Sequence, residues 1–247
     1  MKIGVYVDAE NIFHSGGKNM WYPALKEFCT HGHQAIRLNT YVSYDQRRAE
    51  TDAVYGVNRN RFFDNVRFFG FKVIVKESRY FKDEEGNEVR KANADLDLAV
   101  DMLTQARNLD IIYLLSGDGD FVRMVQAVQN MGIRVHVIGM KNVARSLIQE
   151  ADNFTSGFII PNLLAIEDQP ANEWGSLGKK ARGVLIQPNQ GFGFLEMMTP
   201  TYEKMQLFMH YSEIKNSTFP PRAGDVYQFT VEHGDKGFLA RAATRMT

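Results

Sequence analysis

Ile111-Ile112-Tyr113-Leu114-Leu115-Ser116-Gly117-Asp118-Gly119-Asp120 sets the architecture of most of the chain. Its first five residues are apolar without polar alternation, the pattern of a strand covered on both faces, as strands of parallel sheets are. The run stops at Ser-Gly-Asp-Gly-Asp, and the residues after it have the spacing of a helix reaching about Asn130. Gly132 ends that helix and Ile133 to Ile138 is a second buried strand. Strand, turn, helix and strand in this order make a βαβ unit.

The same alternation extends in both directions. Ile3 to Val7 is a short apolar strand ending at Asp8, Ala35 to Tyr44 a second, and Phe71 to Lys76 a third, with a polar, Arg-rich helical stretch between the last two. Residues 78–91 read as a hairpin around Glu85-Gly86-Asn87, Asn93 caps a helix over 94–107, and a last helix covers 142–150. The fold class expected is therefore α/β, a parallel sheet flanked by helices. From Pro161 the pattern changes. Residues 167–178 have the Pro, Gly, Asn and Ser content of a linker, and five short strands follow: 183–187, 191–196, 206–211, 225–232 and 238–242. They predict a small all-β barrel. The expected organisation is an α/β domain over 1–166, a linker over 167–178 and a barrel domain over 179–247.

Composition agrees with two soluble domains in 247 residues. No stretch approaches the roughly 18 apolar residues of a membrane span, so no membrane partner is expected. One cysteine, Cys29, and an N-terminus that runs directly into a strand point to the cytoplasm. The net charge is zero, from 29 basic and 29 acidic residues, but 178–247 holds nine basic and six acidic residues. Neutrality is the sum of an acidic part at −3 and a basic part at +3.

Ligands of an open parallel sheet bind outside the carboxyl ends of its strands. Asp8 stands at one such end, and Asp118 and Asp120 just beyond another. Stepping 100° per residue from Asp95, Ala106, Ala99 and Leu103 fall at about 20°, 40° and 80° and Met102 at about 340°, so Asp95 is expected within the apolar face. Asp97 falls on the opposite, watered side. An unpaired carboxylate in a core costs several kcal/mol. A cation held among Asp8, Asp95, Asp118 and Asp120 would offset it. Oxygen ligands without a Cys/His cluster favour Mg²⁺ or Mn²⁺, ions that activate water and neutralise phosphoryl oxygens in phosphodiester hydrolysis. In the plainer reading, Asp118 and Asp120 cap the helix that follows and Asp95 is a first-turn acid.

Three segments in order carry a family resemblance: Val7-Asp8-Ala9-Glu10-Asn11; Lys91-Ala92-Asn93-Ala94-Asp95 running into Leu98-Ala99-Val100-Asp101; and Ser116-Gly117-Asp118-Gly119-Asp120-Phe121. They resemble the D-x-x-N, K-G-x-D/L-A-x-D and S-G-D-x-D-F motifs of NYN domains of the LabA type, relatives of PIN-domain nucleases. Ala92 departs from the usual glycine. The resemblance implies a PIN-like fold, RNA cleavage with Mg²⁺ or Mn²⁺, Asp8, Asp95, Asp118 and Asp120 as metal ligands or water activators, and Asn11 orienting the site or a phosphate. Asp101 matches a recurrent family acid, with a structural role equally open.

In the barrel, Phe192 and Phe194 share one strand face, and Phe208 and His210 share another. Side by side they would form a stacking platform for unpaired bases; the alternative is that they build the core. Leu207 and Met209 supply a separate inward face, which favours the platform. Gln190-Gly191-Phe192-Gly193-Phe194 and Leu207-Phe208-Met209-His210-Tyr211-Ser212-Glu213-Ile214 resemble the two RNA-binding motifs of cold-shock domains, and Gly234-Asp235-Lys236-Gly237-Phe238 follows their closing strands. The resemblance covers about 179–245 and implies an OB fold binding single-stranded RNA through Phe192, Phe194, Phe208, His210 and Lys236. Gln190 replaces the usual lysine, and Val184-Leu185-Ile186 lacks the usual Trp-Phe pair.

Two smaller features carry less. Cys29, His31 and His33, spaced C-x-H-x-H on a loop after a helix, lack a fourth zinc ligand. Arg59, Arg61 and Arg67, interleaved with phenylalanines, read as the solvated side of a core helix and secondarily as an RNA path. The expected function is a metal-dependent ribonuclease acting on single-stranded or structured RNA. The competing class is a non-catalytic RNA-binding regulator whose acidic pocket is vestigial or structural. Two such domains paired as a homodimer would lengthen the RNA groove, although no residue here requires it.

Overall fold

The computed structural model describes residues 1–82, 85–91, 94–215 and 219–246, with backbone only at Arg90 and Lys91. Ala92 and the expected Asn93 cap lie outside the described residues. The chain forms two compact units, Met1–Lys18 with Cys29–Phe154, and Asn19–Phe28 with Thr155–Thr247.

The first unit is built on strands β1 (Lys2–Asp8), β2 (Gln34–Tyr44), β3 (Lys72–Glu77), β6 (Ile111–Leu115), β7 (Arg134–Gly139) and the edge strand β8 (Asn153–Ser156). A two-stranded hairpin, β4 (Arg79–Lys82) and β5 (Glu88–Lys91), lies between β3 and β6 in the chain. The sheet runs β3-β2-β1-β6-β7-β8, and the β1–β2, β2–β3, β1–β6 and β6–β7 ladders are parallel. All five residues of β6 are buried, as its unbroken apolar run demands. Helices α1 (Ala9–Ile12), α3 (Gln46–Thr51), α4 (Ala53–Phe68), α5 (Ala94–Gln105), α6 (Val122–Gln129) and α7 (Arg145–Glu150) alternate with the strands, whereas most of α2 (Tyr22–Thr30) belongs to the second unit. α5, α6 and α7 press Leu98, Met102, Val125, Val128 and Leu147 onto Tyr6, Leu114 and Val135 of one sheet face.

α5 keeps Asp95 on the inward side the wheel expects: Met102 and Ala106, on either side of it round the helix, are fully buried and Ala99 and Leu103 pack against the same cluster, while Asp95 itself is half-buried. The helix's first turn reaches the strand-end edge, so a side chain there meets a cavity rather than the core. Asp97 is likewise not simply solvated, since Lys76 of β3 pairs with it at 2.9 Å. Asp101 accepts a hydrogen bond from the Tyr41 hydroxyl at 2.8 Å, and Tyr6 donates to Gln105 one turn on at 3.0 Å. The polar flank of α5 is thus fastened to β1 and β2. Cys29 lies inside α2, fully buried, rather than on a loop.

The second unit holds strands β9 (Lys180–Pro188), β10 (Phe192–Met198), β11 (Lys204–His210), β12 (Ile214–Lys215), β13 (Val226–Gly234) and β14 (Gly237–Arg245). They run β11-β10-β9-β13-β14-β12, and β11 pairs with β14 through Phe208 and Leu239, closing a five-stranded barrel of the OB type with β12 as an appended strand. The interior contains Leu185, Leu195, Leu207, Met209, Tyr227 and Phe229. Trp174, from the stretch expected as a linker, joins this core, with its indole N–H donating to the Met198 carbonyl at 2.8 Å. Buried Arg182 donates to the carbonyls of Leu164 and Ala165, each at 2.8 Å, so its charge is solvated by backbone.

Candidate metal centre and nucleic-acid face

Asp8 ends β1 and caps α1: the Asn11 amide donates to its Oδ1 at 3.1 Å. The Ser116 hydroxyl, from the turn after β6, donates to its Oδ2 at 3.0 Å. Only 5% of Asp8 is exposed. Both donors are neutral, so the charge is buried without a cationic partner among the described residues. Burial pushes the Asp8 carboxyl from 3.8 up to about 6, with Asp95 and Asp118 adding to the rise and the Asn11 and Ser116 hydrogen bonds opposing it.

The Asn11 side chain serves the same turn, its Oδ1 accepting from the Gly117 amide at 2.8 Å. A Cβ at Gly117 would stand 3.3 Å from Val143 Cα and 3.4 Å from Asn11 Oδ1, so the close approach uses the missing side chain. Asp118 caps the short helical turn that follows, accepting from the Asp120 amide at 2.9 Å. This part of the plainer reading holds: Asp118 is a cap. Asp118 also lines a cavity.

That cavity, of about 420 Å³, opens at the carboxyl edge of the sheet and is lined by Asp8, Asp95 and Asp118 together with Glu10, Asn11 and Lys141. Asp95 is raised by partial burial first, then by the charges of Asp118 and Asp120. Asp120 itself is exposed and does not line the cavity, although Asp95 feels its charge. Among the described residues, no three Asp, Glu, His or Cys side chains are grouped tightly enough to hold a metal as they stand. Their donor chemistry nevertheless suits a hard cation: oxygens only, mutually repelling, one of them deeply buried.

Sequence reasoning missed several lining groups. Glu10 faces the cavity and pairs with Arg59 of α4 at 2.8 Å, while Arg59 also donates to the Ser43 carbonyl. Arg59, expected on a solvated basic side, is therefore committed to the rim of this site. Lys141 and Asn142 come from the loop after β7, which Lys141 anchors by donating its amide to the Ser15 carbonyl at 2.9 Å. Glu10 lay inside the quoted D-x-x-N segment and could have been noticed; Lys141 had no local signal.

On the barrel, Phe194 and Phe208 are direct cross-strand partners, as are Phe192 and His210. Phe192 stacks on Phe208 with ring centroids 5.4 Å apart, and Phe194 meets Phe208 edge-on at 6.0 Å. These three rings are half-buried and His210 is exposed, whereas Leu195, Leu207 and Met209 are buried on the opposite side. The Phe residues form an outer aromatic face and not the core. Between them, a Cβ on Gly193 would come within 2.6 Å of Leu185 Cδ1. Lys236 is exposed in the turn joining β13 to β14.

The NYN domain model matches residues 2–164. The low amplitude and bright protein LabA of Synechococcus elongatus is 25% identical over 165 residues, covering 62% of this chain and 82% of that protein. A crystal structure of a protein of unknown function from Vibrio parahaemolyticus is 26% identical, covers 62% of this chain and 91% of its own, and superposes with a TM-score of 0.51. A weaker likeness, 22% identical over 28% of this chain and 27% of the other, with a TM-score of 0.24, is to the Drosophila Unr CSD456 structure. The match across 2–164, a stretch that contains the strand-end aspartates and the Asn11-to-Gly117 tie, places the chain in the NYN domain family.

Proposed function

We propose that this protein is a metal-dependent ribonuclease whose barrel grips single-stranded RNA. The observation that carries the reading is the meeting of Asp8, Asp95 and Asp118 in one cavity at the carboxyl edge of the parallel sheet. These three would hold Mg²⁺ or Mn²⁺, with Asp120 at the rim. Such an ion lowers the pKa of a water and neutralises developing charge on a phosphoryl oxygen. The protein's own contribution is placement. Ser116 and Asn11 fix the Asp8 carboxylate, Asn11 also fixes the Gly117 turn, and that turn sets Asp118. Lys141 and His14 also line the cavity and would supply nitrogen donors to a bound phosphate.

The rings of Phe192, Phe194 and Phe208 would stack on unpaired bases without regard to base identity, with His210 and Lys236 at their margins. Cytoplasmic action fits a chain whose one thiol, Cys29, is buried and free. No helix among the described residues is long and apolar enough to cross a membrane.

The competing reading, a non-catalytic RNA-binding regulator, has one observation in its favour: the carboxylates do not stand as a ready-made metal cluster. Cleavage of end-labelled single-stranded RNA with Mn²⁺ or Mg²⁺ separates the two, with Asp118→Asn as the control. Metal-dependent products from the wild type and none from the variant support the enzyme. Equal, absent cleavage with retained RNA binding supports the regulator.

A further inference from the structure

A second cavity, of about 590 Å³, lies wholly within the barrel-containing unit. Ligand sites commonly span about 300–1,000 Å³, and the proposed nuclease chemistry makes no use of this one. Two aromatic residues line it with accessible rings, Trp21 and the half-buried Tyr202, whose ring meets Phe28 edge-on at 5.3 Å, and the buried Trp174 closes it toward the barrel core. Four prolines, Pro23, Pro161, Pro170 and Pro200, add flat ring walls. Trp21 is 52% exposed, an unusual state for the largest apolar side chain.

The polar lining is selective. The carboxamides of Asn19, Asn162 and Asn172 make no hydrogen bond within the described residues, whereas Gln169 is committed to the Lys180 backbone at 2.6 and 2.8 Å. Glu27 is the one charged lining residue among those described, and no Lys, Arg or His joins it. Left-handed backbone recurs at the same place: of the six non-glycine residues with positive φ among those described, three line the cavity, Asn19 at 64° and Asn162 at 62°, a conformation asparagine tolerates, and Tyr202 at 65°. A bulky aromatic residue in the left-handed region costs on the order of 1 kcal/mol or more, and such residues gather at ligand clamps.

We propose that this cavity is a docking groove for a proline-rich segment of a partner protein, carrying an arginine or lysine beside its prolines. A polyproline II strand offers flat prolyl rings to indole and phenol faces, and its backbone carbonyls have no internal partners. The unengaged asparagine carboxamides can donate to those carbonyls. Glu27 supplies the complement to a basic residue. A nucleic-acid strand fits poorly, because its phosphates would meet a carboxylate and no lining cation.

The test is calorimetric titration of the full-length protein with an acetylated octaproline peptide ending in arginine amide, and with the same peptide ending in glutamine. Saturable binding with Kd below about 1 mM is expected for the arginine peptide, weakened at least about tenfold by Trp21→Ala. Glu27→Gln, an exposed and mild change, is expected to abolish an arginine-over-glutamine preference of about two- to fivefold. Asp118→Asn is expected to bind like the wild type, separating this groove from the carboxylate cavity. No saturable heat, or binding that neither Trp21→Ala nor Glu27→Gln alters, overturns the proposal. A uridine hexamer whose binding is lost in Trp21→Ala, with no response to either peptide, overturns it in favour of a nucleic-acid pocket.

Discussion

Ser116 Oγ donates to Asp8 Oδ2 at 3.0 Å across 108 residues of chain, joining the ends of two adjacent parallel strands inside the molecule. The bond holds a carboxylate that burial would otherwise drive toward its neutral form. Ser116→Ala is therefore expected to raise the Asp8 pKa above about 6 and shift any pH–rate profile to higher pH. Loss of a buried charge-assisted hydrogen bond also lowers stability by about 1–3 kcal/mol, measurable as a fall in the urea midpoint. An unchanged midpoint and profile would show that the bond has no part in holding Asp8.

The raised Asp8 pKa fixes the sign of a pH effect on stability. Between about pH 4 and 6 the native state holds this proton more tightly than the unfolded chain does, so stability falls as pH rises through that window. The ionised carboxylate then costs the fold roughly 2–3 kcal/mol above pH 6. Asp8→Asn keeps a capping oxygen and removes the charge. Its stability at pH 7 without metal is expected to exceed that of the wild type, with a flatter pH dependence over 4–6. Urea denaturation across that range reads both. A wild type whose stability rises between pH 4 and 6 in step with the variant's would contradict the assignment.

Phe208 touches both Phe192 and Phe194 on the outer face of the barrel, and those two rings also meet each other at 6.1 Å. Phe208→Ala is expected to weaken single-stranded RNA binding by about 1–3 kcal/mol, read as anisotropy of a labelled oligonucleotide. Leu207→Ala, one residue away and buried on the inner face, is expected to cost about 2–5 kcal/mol of stability instead. If Phe208→Ala melts the barrel while leaving the affinity of the folded fraction intact, the rings are packing and not a platform.

Gly193→Ala isolates the close approach beneath that face. Its Cβ would meet Leu185 Cδ1 at 2.6 Å and the Gln187 carbonyl oxygen at 3.0 Å. Because one neighbour is backbone, the strand has to shift, and about 1–3 kcal/mol of stability should be lost. Chemical denaturation followed by near-ultraviolet circular dichroism checks this.

Much of the architecture was legible because buried strands betray themselves locally. Ile111–Leu115 and Arg134–Gly139 stand where the apolar runs lie, and alternation through Phe192–Met198 and Lys204–His210 gave the two barrel faces correctly. The candidate acids Asp8, Asp95 and Asp118 were readable from their strand-end and helix-start positions. The wheel put Asp95 on the inward side, between Met102 and Ala106, but not its half-exposure, since it weights every turn alike while the first turn of α5 sits at the sheet edge. Trp174 was hidden in a stretch with linker composition, where one large apolar side chain outweighed its neighbours by burying itself in the barrel. The Glu10–Arg59 pair and the arrival of Lys141 depend on tertiary proximity, which no local pattern encodes.

That Asp8, Asp95 and Asp118 act as one site for a divalent cation is tested most directly by calorimetric titration of Mn²⁺ into the full-length protein and its Asp95→Asn variant, at pH 7.5 and pH 5. Saturable binding by the wild type that weakens at pH 5, as protons compete at Asp8, and a loss of about tenfold or more in the variant are the results expected. Binding that is absent, or identical in wild type and variant at both pH values, would contradict it.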